Sequence, residues 1–147
     1  MKLSIEYRNL KPSDYDEIIR VWTEAGLGYK PKGRDNRERV TKEIARTPEL
    51  HVGAFSEGRL IGTVIGSWDG RRGCVNRLAV VPGFRRQGIA DRLVEICEER
   101  LRKLGALVIY CLIDKDNDPS LTLFSKRLGY HIHDGLVYLS KRDNWDV

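Results

Sequence analysis

The chain has 147 residues, of which 41% are hydrophobic and 32% charged, and a formal net charge of +5. That length and balance fit one globular domain with a core of its own, expected to span 1–147, and they exclude a low-complexity or membrane-spanning chain; the dispersed positive charge suits an anionic ligand but marks no nucleic-acid-binding face. Cys74, Cys97 and Cys111 sit in apolar runs without metal-like spacing, so they read as buried free thiols in a reducing compartment, and with no targeting or transmembrane stretch the cytoplasm is the expected location.

Leu3, Ile5 and Tyr7 alternate with polar residues and predict a first strand. Ser13 can cap a helix through about Ala25, with Tyr15, Ile18, Ile19 and Trp22 inward and Gly26 as its stop. A Gly/Pro/Lys loop covers 27–36, long enough to be functional. The polar run from Arg34 opens a second helix through about Arg46, whose only apolar marks, Val40 and Ile44, place it on the surface. Strands at 50–55 and 59–68 are joined by Glu57-Gly58, a hairpin signal, and Asp69-Gly70-Arg71-Arg72-Gly73 turns into a third strand, CVNRLAVV. A long helix follows from Gly88 to Gly105. The apolar run 106–113 predicts a strand covered on both faces and reached by a parallel crossover. Asn117 or Asp118 can cap a last helix, with Pro119 in its first turn and Gly129 as its end. Short strands at 130–133 and 136–141 around Asp134-Gly135, then a frayed tail at 142–147, close the chain.

The stretch 74–105 carries the clearest chemistry. Pro82 and Gly83 end its strand, and a turn ending in Arg85-Arg86-Gln87-Gly88-Ile89-Ala90 opens its helix. The first N–H groups of a helix have no internal partner and are backed by the positive end of the dipole, so such a turn accepts a phosphate. Gly88 lets the anion approach the backbone, and Arg85 and Arg86 add positive charge.

The segment LAVVPGFRRQGIA resembles the signature of the Gcn5-related N-acetyltransferase (GNAT) family, a strand ending L-A-V-x-P followed by [RQ]-x-x-G-x-[GA]. A second match is Asn117-x-x-Ser120-x-x-x-Phe124-x-x-x-Leu128-Gly129-Tyr130, and the order of elements agrees over nearly the whole chain. Trp22 and the Trp68–Gly73 stretch resemble small prokaryotic members of poorly defined substrate. The resemblance implies an α+β (mixed α/β) fold: one domain with a mixed, mostly antiparallel sheet of about seven strands and about four helices, splayed where acetyl-CoA binds. It implies acetyl-CoA as cosubstrate and no metal. The backbone of Leu78, Ala79 and Val80 would pair with the pantetheine arm, the N–H groups of Arg85, Arg86, Gln87, Gly88, Ile89 and Ala90 would hold the pyrophosphate, and Asn117 and Phe124 would contact the pantetheine. The implied function is acetyl transfer to a primary amine of a small molecule or a protein by direct attack on the thioester, with no nucleic-acid or membrane partner and with a homodimer allowed. The alternative is a catalytically weak or inactive CoA-binding module with a regulatory role.

Three positions depart from the family's chemistry. Histone-type members place a glutamate base where Cys74 stands, the ribosomal-protein N-terminal acetyltransferases place one at Leu112, and many members carry a tyrosine acid at Phe124. Tyr138, Glu24 and Asp69 remain as candidates for proton transfer, and Cys74 serves only if its thiol is strongly acidified. His131 and His133 share one strand face without a third metal ligand.

Overall fold

The computed structural model describes residues 4–147; Leu3 of the expected first strand lies outside them. Five strands form one sheet in the order β1 (Ile5–Asn9), β2 (His51–Ser56), β3 (Arg59–Trp68), β4 (Gly73–Val80), β5 (Ile109–Tyr110). The first four are antiparallel neighbours, and β5 joins β4 in parallel. The helices are α1 (Tyr15–Glu24), α2 (Arg37–Arg46), α3 (Ile89–Leu104) and α4 (Asp118–Thr122), the last continued by a π-helical turn at Leu123–Arg127. The expected fold class and helix count are what the structure shows.

Each face of β3 answers one layer of helices. Gly62 and Gly66 face α3, where an added Cβ would lie 3.2 Å from Leu93 and 2.9 Å from the Cys97 sulfur. The missing side chains let α3 settle close to the sheet, and Ile89, Leu93, Cys97 and Leu101 are buried there. Thr63 faces the other way, and its hydroxyl accepts from the Trp22 indole of α1 at 3.1 Å. Val40 and Ile44, 2% and 1% exposed, bring α2 down as a narrow apolar stripe, as the two apolar marks in a polar helix require. Gly66→Val should destabilise the fold by about 1–3 kcal/mol, because overpacking forces Cys97 and Leu50 aside. A urea midpoint unchanged from wild type would mean that α3 can shift freely.

Several boundaries differ from expectation. A 3-10 turn at Pro12–Asp14 precedes α1 in place of a Ser13 cap, and the Asp14 carboxylate accepts the Lys11 N–H at 2.7 Å. The second helix begins at Arg37 because the Asn36 side chain caps it, accepting from the Arg39 N–H at 2.9 Å. The apolar run 106–113 pairs only at Ile109 and Tyr110, and Leu107 and Leu112 are 96% and 62% exposed, so this strand is not covered on both faces. The expected strands at 130–133 and 136–141 do not form, leaving five strands among the described residues where about seven were expected. The turn at 134–135 is present, but the residues around it find no ladder partner, and a strand exists only through its neighbour. The tail is not frayed. Lys30 Nζ donates to the Trp145 carbonyl at 2.8 Å and Arg34 to the Val147 carbonyl at 2.9 Å, so it lies on the 27–36 loop.

Candidate functional site

The pairing of β4 with β5 stops after Cys74 and Tyr110. From Val75 onward the strands part, and a cavity of about 680 Å³ opens between them. Its walls are Val75 to Leu78 of β4, residues 111–114 after β5, Asn117 and Ser120 at the start of α4, Phe124, and the α1–α2 side through Trp22, Asp35 and Glu43.

A bulge shapes the β4 wall. Asn76 opposes Ile65 while Ala79 opposes Thr63, so β4 carries one residue more than β3, and Arg77 takes a positive φ of 51°. The Thr63 hydroxyl, which receives the Trp22 indole, donates to the Arg77 carbonyl at 2.9 Å and holds the bulge. The Arg77 side chain turns toward the 27–36 loop. Its guanidinium lies 4.7 Å from the Trp22 ring centre, donates to the Gly28 carbonyl, and pairs with Asp35 at 3.0 Å. Asp35 is 6% exposed and also accepts the Lys30 N–H at 2.7 Å. Burial pulls the Arg77 guanidinium below its ordinary range, and the Asp35 charge opposes that pull.

Beyond β4 the chain makes a 3-10 turn at Pro82–Phe84 and then alternates backbone sign. Arg85 is extended, Arg86 has φ 63°, and Gly88, the N-cap of α3, has φ 77°. No side chain caps the helix, and nothing lies within 4 Å of a Cβ added at Gly88. The first helical N–H groups thus have no side-chain cap, and the alternating backbone before them forms the kind of nest that receives an anion. Arg85 does not add its charge to that nest. Its guanidinium folds back to the Val80 carbonyl at 3.1 Å and the Ala25 carbonyl at 3.2 Å, pinning the turn to the end of β4 and to α1. Arg86 is exposed beside the nest.

The comparisons agree with this architecture. The acetyltransferase (GNAT) family model matches residues 15–130. An acetyltransferase of Sodalis glossinidius is 30% identical over 138 residues, covering 94% of this chain and 95% of the relative. One of Photorhabdus laumondii is 31% identical over the same shares. The chain belongs to the GNAT acetyltransferase family. It is an acyl-CoA-dependent N-acetyltransferase, and the reaction is acetyl transfer from acetyl-CoA to an amine. Solved structures share the fold: PaiA N-acetyltransferase from Thermoplasma acidophilum in complex with coenzyme A has a TM-score of 0.76 at 24% identity, covering 90% of this chain and 92% of that one. Aminoglycoside N-acetyltransferase AAC(6')-Iy in complex with CoA has a TM-score of 0.76 at 17% identity, covering 97% of each.

Of the acetyltransferase's expected site residues, Leu78, Asn117, Phe124 and Tyr138 line the cavity, Ala79 and Val80 are buried in β4 off its wall, and Arg86 to Ala90 form the nest that follows β4. Asn117 accepts the Ser120 N–H at 3.2 Å as the cap of α4, which leaves its amide donors to the cavity. Phe124 is 5% exposed and stacks edge-on with Tyr130 at 5.0 Å, so it contributes shape and no proton.

The candidates for proton transfer do not come together. Glu24 lies off the cavity wall and pairs with Arg20 at 3.1 Å. Asp69 closes its own turn, accepting the N–H groups of Arg71 and Arg72, each at 2.7 Å, and those bonds hold its carboxyl below the usual range. Burial pushes the Cys74 thiol up, the wrong direction for a thiolate base. Tyr138 reaches the cavity from an exposed segment. His131 and His133 stack on each other, and among the described residues no group of three or more metal-ligating side chains is present.

Glu43, Arg77 and Asp114 line the cavity and were not singled out in the sequence. For Arg77 a signal existed: the pair Asn76-Arg77 interrupts an otherwise apolar strand at the bulge. For Glu43 there was none, since one glutamate in a polar helix looks like any other. No helix among the described residues is long and apolar enough to cross a membrane.

Proposed function

We propose that this acetyltransferase acts on a cationic primary amine, of a small molecule or of an exposed protein group, seated between β4 and the α1–α2 side of the cavity. The observation that carries the reading is the gap where β4 leaves β5, with an anion nest following the end of β4 and the carboxylates of Glu43 and Asp114 on the cavity walls. A strand edge without a partner offers backbone groups to an extended arm, and Leu78, Ala79 and Val80 are the residues that would hold the pantetheine. The N–H groups of Arg86 to Ala90 would take the pyrophosphate, the Asn117 amide would donate to the pantetheine, and Phe124 would pack against it. Arg85 would act by fixing the turn.

The amine attacks the thioester carbonyl once both are held in line, and a strand N–H near Val80 stabilises the developing oxyanion. One hydrophobic core, with residues from Leu10 to Phe124, supports treating the chain as a single domain. Its three free cysteines suit the reducing cytoplasm.

Acetyl-CoA at about 100 times its Kd should raise Tm by roughly 5–10 °C. A broad panel of amines and amino-terminal peptides should then release CoA thiol. No Tm shift at near-millimolar acetyl-CoA would sink the reading. Phe124, which offers no proton where many relatives keep a tyrosine, favours a second reading as a CoA-binding module without turnover; a Tm shift with no thiol release from any amine would support it.

A further inference from the structure

His51 is the one residue whose buried side-chain nitrogen or oxygen lacks a hydrogen-bond partner among the described residues. The ring is 0% exposed at the start of β2. Its Nδ1 lies 2.8 Å from the Thr47 carbonyl, which can only accept, so Nδ1 carries the hydrogen. In the neutral ring Nε2 is then a bare lone pair with no donor to satisfy it. The group facing it is the Glu43 carboxylate, with Oε1 at 3.8 Å. Two acceptors face each other, the His51 nitrogen buried and the Glu43 carboxylate part-exposed, and a proton between them satisfies both.

Glu43 has a second face. Its side chain is 39% exposed and lines the cavity between β4 and the residues after β5. The other charges nearby are already engaged: Arg77 pairs with Asp35, Arg34 donates to Val147, and Arg100 of α3 donates to the Glu49 carbonyl. The pair is thus a proton acceptor with one end on the cavity and the other in the core.

We infer that Glu43 is the catalytic base that takes the proton of the acceptor ammonium, and that His51 is its positioning partner. The inference rests on the amine-acceptor reading above. The ammonium gives one proton to the Glu43 carboxylate, and a turn of the broad terminal torsion of Glu43 brings that proton to His51 Nε2. The imidazolium formed then donates from Nδ1 to Thr47 and from Nε2 to Glu43. The neutral amine attacks the thioester carbon with its lone pair. The C–S bond breaks, its electron pair leaves on sulfur, and the second proton of the attacking nitrogen passes to that thiolate. The products are the amide, CoA thiol and a pair holding one extra proton, which it returns to solvent through Glu43.

The test has two arms. Without any substrate, nitrogen NMR at neutral pH should show His51 Nδ1 carrying its hydrogen and an Nε2 resonance that reports the facing Glu43 carboxylate. In Glu43→Gln the His51 Nε2 resonance should move, because the group facing it has changed. A His51 ring whose behaviour is the same in Glu43→Gln would overturn the inference, whatever the enzyme acetylates. With the best amine of the panel, Glu43→Gln should lose about 100-fold or more in kcat/KM at neutral pH, together with the acidic limb of the pH profile that wild type shows as the pair fills. His51→Gln should keep part of the rate and shift that limb, and unchanged melting of both variants would exclude misfolding. Wild-type turnover with full activity in Glu43→Gln would overturn the base assignment and leave the N-acetyltransferase reading standing.

Discussion

Replacing Gly88 by glutamate is expected to abolish acetyl-CoA binding while the protein stays folded. Gly88 combines φ 77° with open space beyond its Cα, so the cost to the fold is local backbone strain of about 1–2 kcal/mol. The cost to binding is larger. The new carboxylate would stand at the mouth of the nest, take up its N–H groups, and repel the phosphates it replaces. Titration calorimetry should show affinity down by at least about 100-fold, roughly 2.7 kcal/mol. Gly88→Ala separates the two effects: it carries the same strain without the charge and should lose less. Undiminished acetyl-CoA affinity in Gly88→Glu would show that the pyrophosphate binds elsewhere.

Arg77→Met should strongly destabilise the fold at the cavity wall. Arg77 joins the β4 bulge to the 27–36 loop through Gly28, Asp35 and the Trp22 ring, and the side chains of Arg77 and Asp35 are 18% and 8% exposed. At that burial the loss of one partner leaves the other a charge out of water. The expected cost is about 3 kcal/mol, the lower end of the range for broken buried pairs, because Asp35 keeps the Lys30 N–H. Adding Asp35→Asn should recover at least half of it, since the amide oxygen still accepts from Lys30 and no charge remains stranded. A loss below about 1 kcal/mol in urea unfolding would show that solvent screens the pair. Acetyl-CoA affinity should change little in the double variant, because the nest after β4 is held by Arg85 rather than by Arg77.

Much of this protein is local, and what is local was readable in the sequence. The helix starting at Gly88, the hairpin at Glu57-Gly58, the cap at Asn117 and the buried face of α3 each follow from residues a few positions apart. The same holds for the nest, since its N–H groups belong to consecutive residues and Gly88 is needed for its own backbone angle. The family signature lies in that stretch for this reason, and with it came the cosubstrate.

The acceptor side is assembled from distant parts of the chain. The Arg77 side chain meets Asp35, and His51 faces Glu43 across the junction of α2 and β2. Neither pair has a spacing that periodicity can mark. Partners also decided which charges matter: Glu24 and Asp69 looked as available as Glu43, yet Asp69 is consumed by its own turn and Glu24 by Arg20. Strand pairing separated the expected strands from the real ones, because the apolar runs after Gly105 become strands only where a neighbour supplies the ladder, and β4 does so for two residues. The sequence alone determined the helices, the hairpins that join β2, β3 and β4, and the backbone site for an anion, since each depends on neighbouring residues. Only the tertiary structure decided where β4 and β5 part and which carboxylate stands in the gap with a buried imidazole behind it, because both depend on contacts between elements that the chain brings together from far apart.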